Sequence, residues 1–277
     1  MAQQPYPAKH RGGWLAEAGD AVVSIFFPSD CRLCERLLTR ASRVPICEEC
    51  LGSFAALQGG ICEICGAKPE TAFGAAESKP EDGGAQPERV VCTVSQARTY
   101  AFDRARSYAE YEGPLIRAIV TLKFEQIEPL GAWFAQRLSE VVWREADLLA
   151  ADIVVPVPLH RQRHRERGYN QADLIARPLA RQLGLPYRAV LLMRTSPRPD
   201  KHILSLRERW DSVRGAFATR PGSRVDKLRV LLVDDVMTTG ATLDACARAL
   251  RKAGAKSVIG LTVARAVRQP VMDPEES

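Results

Sequence analysis

The chain has 277 residues, 46% hydrophobic and 26% charged, a balance expected of a soluble globular protein long enough for two domains. No run of 18 consecutive apolar residues occurs, which excludes a simple membrane-spanning helix. The net charge of +6 favours anionic partners without choosing among phosphate ligands, nucleic acid and membrane surface. Residues 160–220 hold fourteen Lys/Arg against five Asp/Glu. That local surplus exceeds the surplus of the whole chain, so the remainder is slightly acidic. One anion-binding surface suits this distribution better than general basicity.

Residues 1–13 are polar, and residues 14–27 read as a short helix that Pro28 ends. The apolar piece Ala21–Phe27 is short, follows Glu17 and Asp20, and lacks a small-residue cleavage site, so no secretory signal is expected. Seven of the eight cysteines lie before residue 93, and six of those form Cys-x-x-Cys pairs. Without an export signal, metal binding is a better reading than a disulfide framework. Cys31, Cys34, Cys47 and Cys50 have the spacing of a closed tetrahedral zinc site, which is structural rather than catalytic. Cys62 and Cys65 form another knuckle, with Cys92 as a third ligand. Ser95 stands three residues after Cys92. This second site either uses a different fourth ligand or is lost.

Residues 66–90 contain Gly, Pro, Ala, Ser and Glu and almost nothing large and apolar, as in a linker. The pattern then changes to alternating strands and helices. Residues 106–111 read as a strand, 114–124 and 129–145 as helices, and 153–158 as an apolar strand ending in prolines. Residues 171–183 are helical despite Pro178. Residues 229–233 form a fully apolar strand, 242–253 a helix closed by Gly254, and 257–264 another buried strand. Cys246 falls in the 242–253 helix as a core residue. Apolar strands alternating with helices predict an α/β fold, a parallel sheet flanked by helices. The expected division is a tail and short helix at 1–27, a zinc ribbon at 28–66, and a linker that a degenerate second ribbon would share at 67–95. An α/β domain at 96–268 and a tail at 269–277 follow.

The sequence Val230–Thr242 carries the chemistry. A buried strand leads to Asp234 and Asp235, and Val236-Met-Thr-Thr-Gly-Ala-Thr242 runs into a helix. Ligands of open α/β sheets bind beyond the carboxyl ends of the strands. A turn of small residues at a helix N-terminus offers free backbone N–H groups to a phosphate. Thr238, Thr239 and Thr242 add hydroxyls, and Gly240 and Ala241 let the backbone approach closely. The adjacent carboxylates cannot bind phosphate but accept hydrogen bonds from sugar hydroxyls. The order reads as a ribose 5-phosphate site. A Walker A loop is excluded, because its Lys is absent.

This segment resembles the phosphoribosyl-pyrophosphate (PRPP) motif of type I phosphoribosyltransferases. With the cysteine pairs, Ala101–Arg106, Gly113–Phe124, Val155–Pro158, Arg167–Gln171 and Val213–Phe217, the chain is similar to the ComF family from about Cys31 to Ala266. That family joins a zinc ribbon to a phosphoribosyltransferase-like domain. The resemblance implies a type I phosphoribosyltransferase fold, PRPP and Mg²⁺ as ligands, structural Zn²⁺, and a cytoplasmic protein without membrane insertion. It also places an eighth zinc ligand where Ser95 stands, and a Gln where Lys201 stands in a mobile hood loop over residues 194–209. Pyrophosphate would meet residues 155–159 and at least one of Arg161, Arg163, Arg165 and Arg167, with Arg167 the first choice. His160 and His164 are expected on the surface. Asp234 and Asp235 would be the catalytic pair, steadying the ribose while pyrophosphate leaves C1 with inversion. The alternative is a non-catalytic protein of natural transformation that keeps the PRPP site and binds single-stranded DNA, with Tyr169 and Trp210 as weak stacking candidates.

Overall fold

The computed structural model describes residues 29–38, 43–57, 60–68, 90–147, 149–197 and 206–266. The expected helix at 14–27, the tails, most of the linker and Lys201 lie outside the described residues. The chain divides into two compact units, one ending at Ser53 and the other beginning at Phe54. Cys62, Cys65 and Cys92 therefore belong to the larger unit.

Among the described residues, the smaller unit holds the first two cysteine pairs and one short helix, α1 (Glu48–Gly52). The larger unit begins with α2 (Thr93–Gln96), β1 (Arg104–Glu110) and α3 (Gly113–Phe124). It continues through α4 (Glu128–Arg144), β2 (Ile153–Pro156), α5 (Arg161–Arg167) and α6 (Gln171–Leu183). Then come β3 (Leu192–Arg194), α7 (Leu206–Asp211), β4 (Phe217–Thr219), β5 (Arg229–Met237), α8 (Ala241–Lys252) and β6 (Ser257–Arg265).

The main sheet has the order β1-β6-β5-β2, and every neighbouring pair is parallel. The pair β3–β4 is antiparallel and separate. Parallel strands need helical crossovers, so both faces of the sheet are covered and its central strands are apolar. Val230 and Leu232 of β5 join Leu243, Cys246, Ala247 and Leu250 of α8 in one buried cluster, and Cys246 is fully buried as expected. Helices α4 and α6 pack on each other, with α6 also against β2 and β5. Phe134, Leu138, Ile175 and Leu179 on these helices are fully buried.

Helix α6 runs through Pro178 without ending. Proline at this position removes the hydrogen bond to the carbonyl four residues earlier, at Leu174. That carbonyl faces Gly131 of α4, where an added Cβ would come within 2.7 Å of it. The missing side chain lets the two helices meet closely at the interrupted turn.

Strand β5 continues past Val233 to Met237, four residues beyond the apolar run that the sequence marks as strand. Asp234 and Val236 remain in register with Thr262 and Ala264 of β6. The expected turn therefore begins only at Thr238. Hydrogen bonding to β6 overrides the polarity of the two aspartates.

Candidate PRPP site and cysteine clusters

At the carboxyl end of β5 lies a cavity of about 380 Å³. Asp234, Asp235, Val236, Thr238 and Thr242 line it. Successive strand side chains point to opposite faces, so the two aspartates diverge. Asp234 Oδ1 accepts a hydrogen bond from the Asp235 amide at 2.9 Å, and Asp235 Oδ1 accepts from the Val236 amide at 2.7 Å. Lys123, from the last turn of α3, places Nζ 2.8 Å from Asp235 Oδ2. Burial first, and the neighbouring Asp235 charge second, push the Asp234 carboxyl well above the usual carboxylate range.

The turn beyond the strand is fixed by its smallest residue. Gly240 is the N-cap of α8 at φ +80°, and an added Cβ would lie 2.9 Å from Met237 Cε and 3.2 Å from a Tyr100 ring carbon. Left-handed backbone and close packing both select glycine here. Thr239 Oγ1 accepts from the Ala241 amide at 3.3 Å. Thr238 and Thr242 line the cavity, whereas Thr239, Gly240 and Ala241 do not. The opening amides of a helix have no partner within the helix, and Thr242, in the first turn of α8, lines the cavity.

The rim is cationic. Arg163 and Arg167 sit one turn apart on α5 and both line the cavity, with Lys123, Arg194 and Arg209. Arg161 and Arg165, on other faces of α5, do not line it. Arg167 lies over the Phe124 ring at 5.1 Å and donates to Gln171. His160, expected only on the surface, lines the cavity and caps α5 through Nδ1. His164 is exposed as expected. The loop over Val157, Pro158 and Leu159 forms another wall. Val157 donates to the Val233 carbonyl at 2.8 Å, and its own carbonyl accepts from Asn170 Nδ2 at 3.0 Å.

Sequence reasoning missed Lys123, Arg194, Arg209 and Tyr111 as cavity residues. A lysine in the last turn of the largely apolar helix at 113–124 was the available signal for the first. The two arginines bracket the expected hood segment, whose residues 198–205 are not described. Tyr169 is corrected as a stacking candidate. It is buried, its hydroxyl donates to the Leu122 carbonyl at 2.8 Å, and the Gln126 amide donates to that hydroxyl at 3.0 Å. Trp210 has the Arg98 guanidinium 4.0 Å above its ring, so one face is already covered.

In the smaller unit, the four sulfurs of Cys31, Cys34, Cys47 and Cys50 lie within 4.8 Å of one another. Cys34 and Cys47 are separated by 3.7 Å between sulfurs. The amides of Cys47 and Leu33 donate to Cys31 Sγ at 3.3 and 3.4 Å. With Zn–S bonds of about 2.3 Å, a tetrahedral site has edges of about 3.8 Å, so the donor set fits structural zinc. Cys62, Cys65 and Cys92 form a second, fully buried cluster in the larger unit.

A parallel sheet flanked by helices, a phosphate-type turn at its carboxyl end and two cysteine clusters define a phosphoribosyltransferase-like protein with a zinc ribbon. A phosphoribosyl transferase domain model matches residues 171–276, and a double zinc ribbon domain model matches residues 22–85. The DNA utilization protein YhgH of Salmonella typhimurium is 31% identical over 218 residues, covering 77% of this chain and 93% of that protein. Competence protein F of Haemophilus influenzae is 28% identical, covering 79% and 96%. Competence protein ComFC of Bacillus subtilis is 27% identical, covering 79% and 84%. The chain belongs to the ComF family.

Proposed function

We propose that the cavity binds PRPP together with Mg²⁺, and that the protein acts on a phosphoribosyl group in a DNA-linked role. The observation that carries this reading is the sequence of groups along one continuous segment. Two buried carboxylates lie near the end of β5, a left-handed glycine caps α8, and Asp234, Asp235, Thr238 and Thr242 line one arginine-rimmed cavity. In this reading Asp234 and Asp235 accept from the ribose hydroxyls. The amides and hydroxyls of residues 238–242 take the 5′-phosphate. Arg163 and Arg167 face the pyrophosphate, with Arg194 and Arg209 opposite. Mg²⁺ is held chiefly by the ligand's oxygens and water.

Transfer would break the bond from C1 to the pyrophosphate oxygen and form one from C1 to the acceptor. Pyrophosphate would leave with the bonding electrons. The aspartates would steady the positive charge that develops on the ribose.

The second reading is a nucleic-acid-binding protein that keeps the PRPP site without turnover. It is favoured by the relatives' names, which refer to DNA utilization and competence, and by the basic surplus of residues 160–220. A cytoplasmic location fits either reading. Among the described residues, no helix is long and apolar enough to cross a membrane.

Calorimetric titration with PRPP and Mg²⁺ tests the first reading. Saturable binding in the wild type, abolished in Asp234→Asn/Asp235→Asn with the fold retained, supports the assignment. Unchanged binding in that variant overturns it. Formation of pyrophosphate in the presence of candidate acceptors separates turnover from binding alone.

A further inference from the structure

One ion pair inside the cavity stands where the proposed ribose site has to form. Asp235 is 5% exposed and lines the cavity. Its Oδ1 accepts from the Val236 amide at 2.7 Å. Its Oδ2 is buried without a hydrogen-bond partner among the described residues. The Lys123 ammonium stands 2.8 Å from that oxygen, as an ion pair without hydrogen-bond geometry. A buried acceptor that lacks a donor costs free energy, so a hydroxyl arriving at Oδ2 gains more than it would at a satisfied oxygen.

Lys123 is placed to move between partners. It lies in the last turn of α3, and its side chain is 24% exposed against 7% for that of Asp235. A lysine carries a compact charge on a flexible four-carbon stem. Arg163, Arg167, Arg194 and Arg209 line the same cavity, so the ammonium sits among like charges and Asp235 is what holds it there. A ribose hydroxyl that donates to Asp235 Oδ2 competes with the ammonium for one oxygen. Once a ligand excludes water, the displaced ammonium is a desolvated charge, and it is costly unless another anion receives it.

We infer that Lys123 is a specificity-determining residue that reads the pyrophosphate end of the ligand, an inference that rests on the PRPP reading of the cavity. When the ribose hydroxyls take Asp235, the ammonium passes to a pyrophosphate oxygen; no covalent bond changes. A ligand with both ends replaces the ion pair that it breaks. Ribose 5-phosphate breaks the pair and supplies no anion at C1. Lys123 therefore couples the two ends of the site. A ribose phosphate binds well only when pyrophosphate is present too, whether joined to it or free beside it.

The test is calorimetric titration of the full chain with ribose 5-phosphate, with and without saturating inorganic pyrophosphate and Mg²⁺. In the wild type, pyrophosphate should tighten ribose 5-phosphate binding about tenfold, within the usual range of coupling between two sites. In Lys123→Gln that coupling should vanish. Ribose 5-phosphate alone should then bind at least as tightly as to the wild type, while PRPP binds more weakly. The same coupling in Lys123→Gln as in the wild type would overturn the proposal, as would equal losses of affinity for PRPP and ribose 5-phosphate. The wild-type measurement needs no variant, so a wild type that binds PRPP and shows no coupling overturns it as well. A wild type that binds neither PRPP nor ribose 5-phosphate refutes the PRPP reading itself, which is a separate result.

Discussion

Replacing Gly240 by alanine separates strain from contact and tests whether the turn is built for a ligand. Gly240 and Gly222 have nearly the same backbone, φ +80° and +78°. A Cβ on Gly222 meets nothing within 4 Å, whereas one on Gly240 meets Met237 Cε at 2.9 Å and Tyr100 at 3.2 Å. Gly222→Ala should therefore lose only the left-handed strain, about 1–2 kcal/mol. For a unit of this size that lowers Tm by about 2–8 °C. Gly240→Ala adds overpacking of about 1–2 kcal/mol, because Met237 can shift but the stacked Tyr100 ring yields less. Its total of about 3 kcal/mol lowers Tm by about 6–12 °C. The shift also moves the α8 amides, so PRPP affinity should fall at least tenfold, while Gly222→Ala binds normally. Differential scanning calorimetry and PRPP titration of both variants provide the comparison. Equal Tm losses with unchanged affinity in both would refute the reasoning.

The remaining predictions concern charge. Because the Asp234 carboxyl is raised above its unfolded value, the native state holds its proton more tightly than the unfolded chain. That stabilisation is present at low pH and is lost as pH rises through the raised value. Asp234→Asn should therefore raise Tm relative to wild type more at pH 8 than at pH 6, while removing PRPP binding; an advantage that does not grow with pH contradicts this. Lys123→Met leaves the Asp235 carboxylate unpaired at 7% exposure and should cost about 3 kcal/mol in chemical denaturation, most of it recovered in Lys123→Met/Asp235→Asn. Additive losses in the double variant would show that the pair is uncoupled. Single-stranded DNA, if it is a partner of residues 160–220, should be released steeply as salt rises in a mobility-shift titration. Salt-insensitive binding, or none at low salt, removes that reading.

Strand and helix periodicity made most of the α/β architecture legible, because buried parallel strands such as Val230–Val233 have no polar alternation to confuse them. The end of β5 was misread for a physical reason. Asp234 and Asp235 look like a turn, but pairing with β6 holds them in the strand. Residues 171–183 read as helical despite Pro178, and Gly131 on another helix accommodates the proline. The turn that caps α8 was legible because its small residues are contiguous. Lys123, Arg194 and Arg209 were not, since they converge from three separate elements. Ser95 stands out in the sequence only as a departure from the cysteine pattern.

A crystal structure of the wild-type chain soaked with PRPP and Mg²⁺ tests the central claim most directly. The 5′-phosphate should lie within hydrogen-bonding distance of the amides of residues 239–242, with the ribose hydroxyls at Asp234 and Asp235 and the pyrophosphate between Arg163 and Arg167. Density for PRPP elsewhere, or a cavity that stays free of ligand at saturating PRPP, would contradict the account.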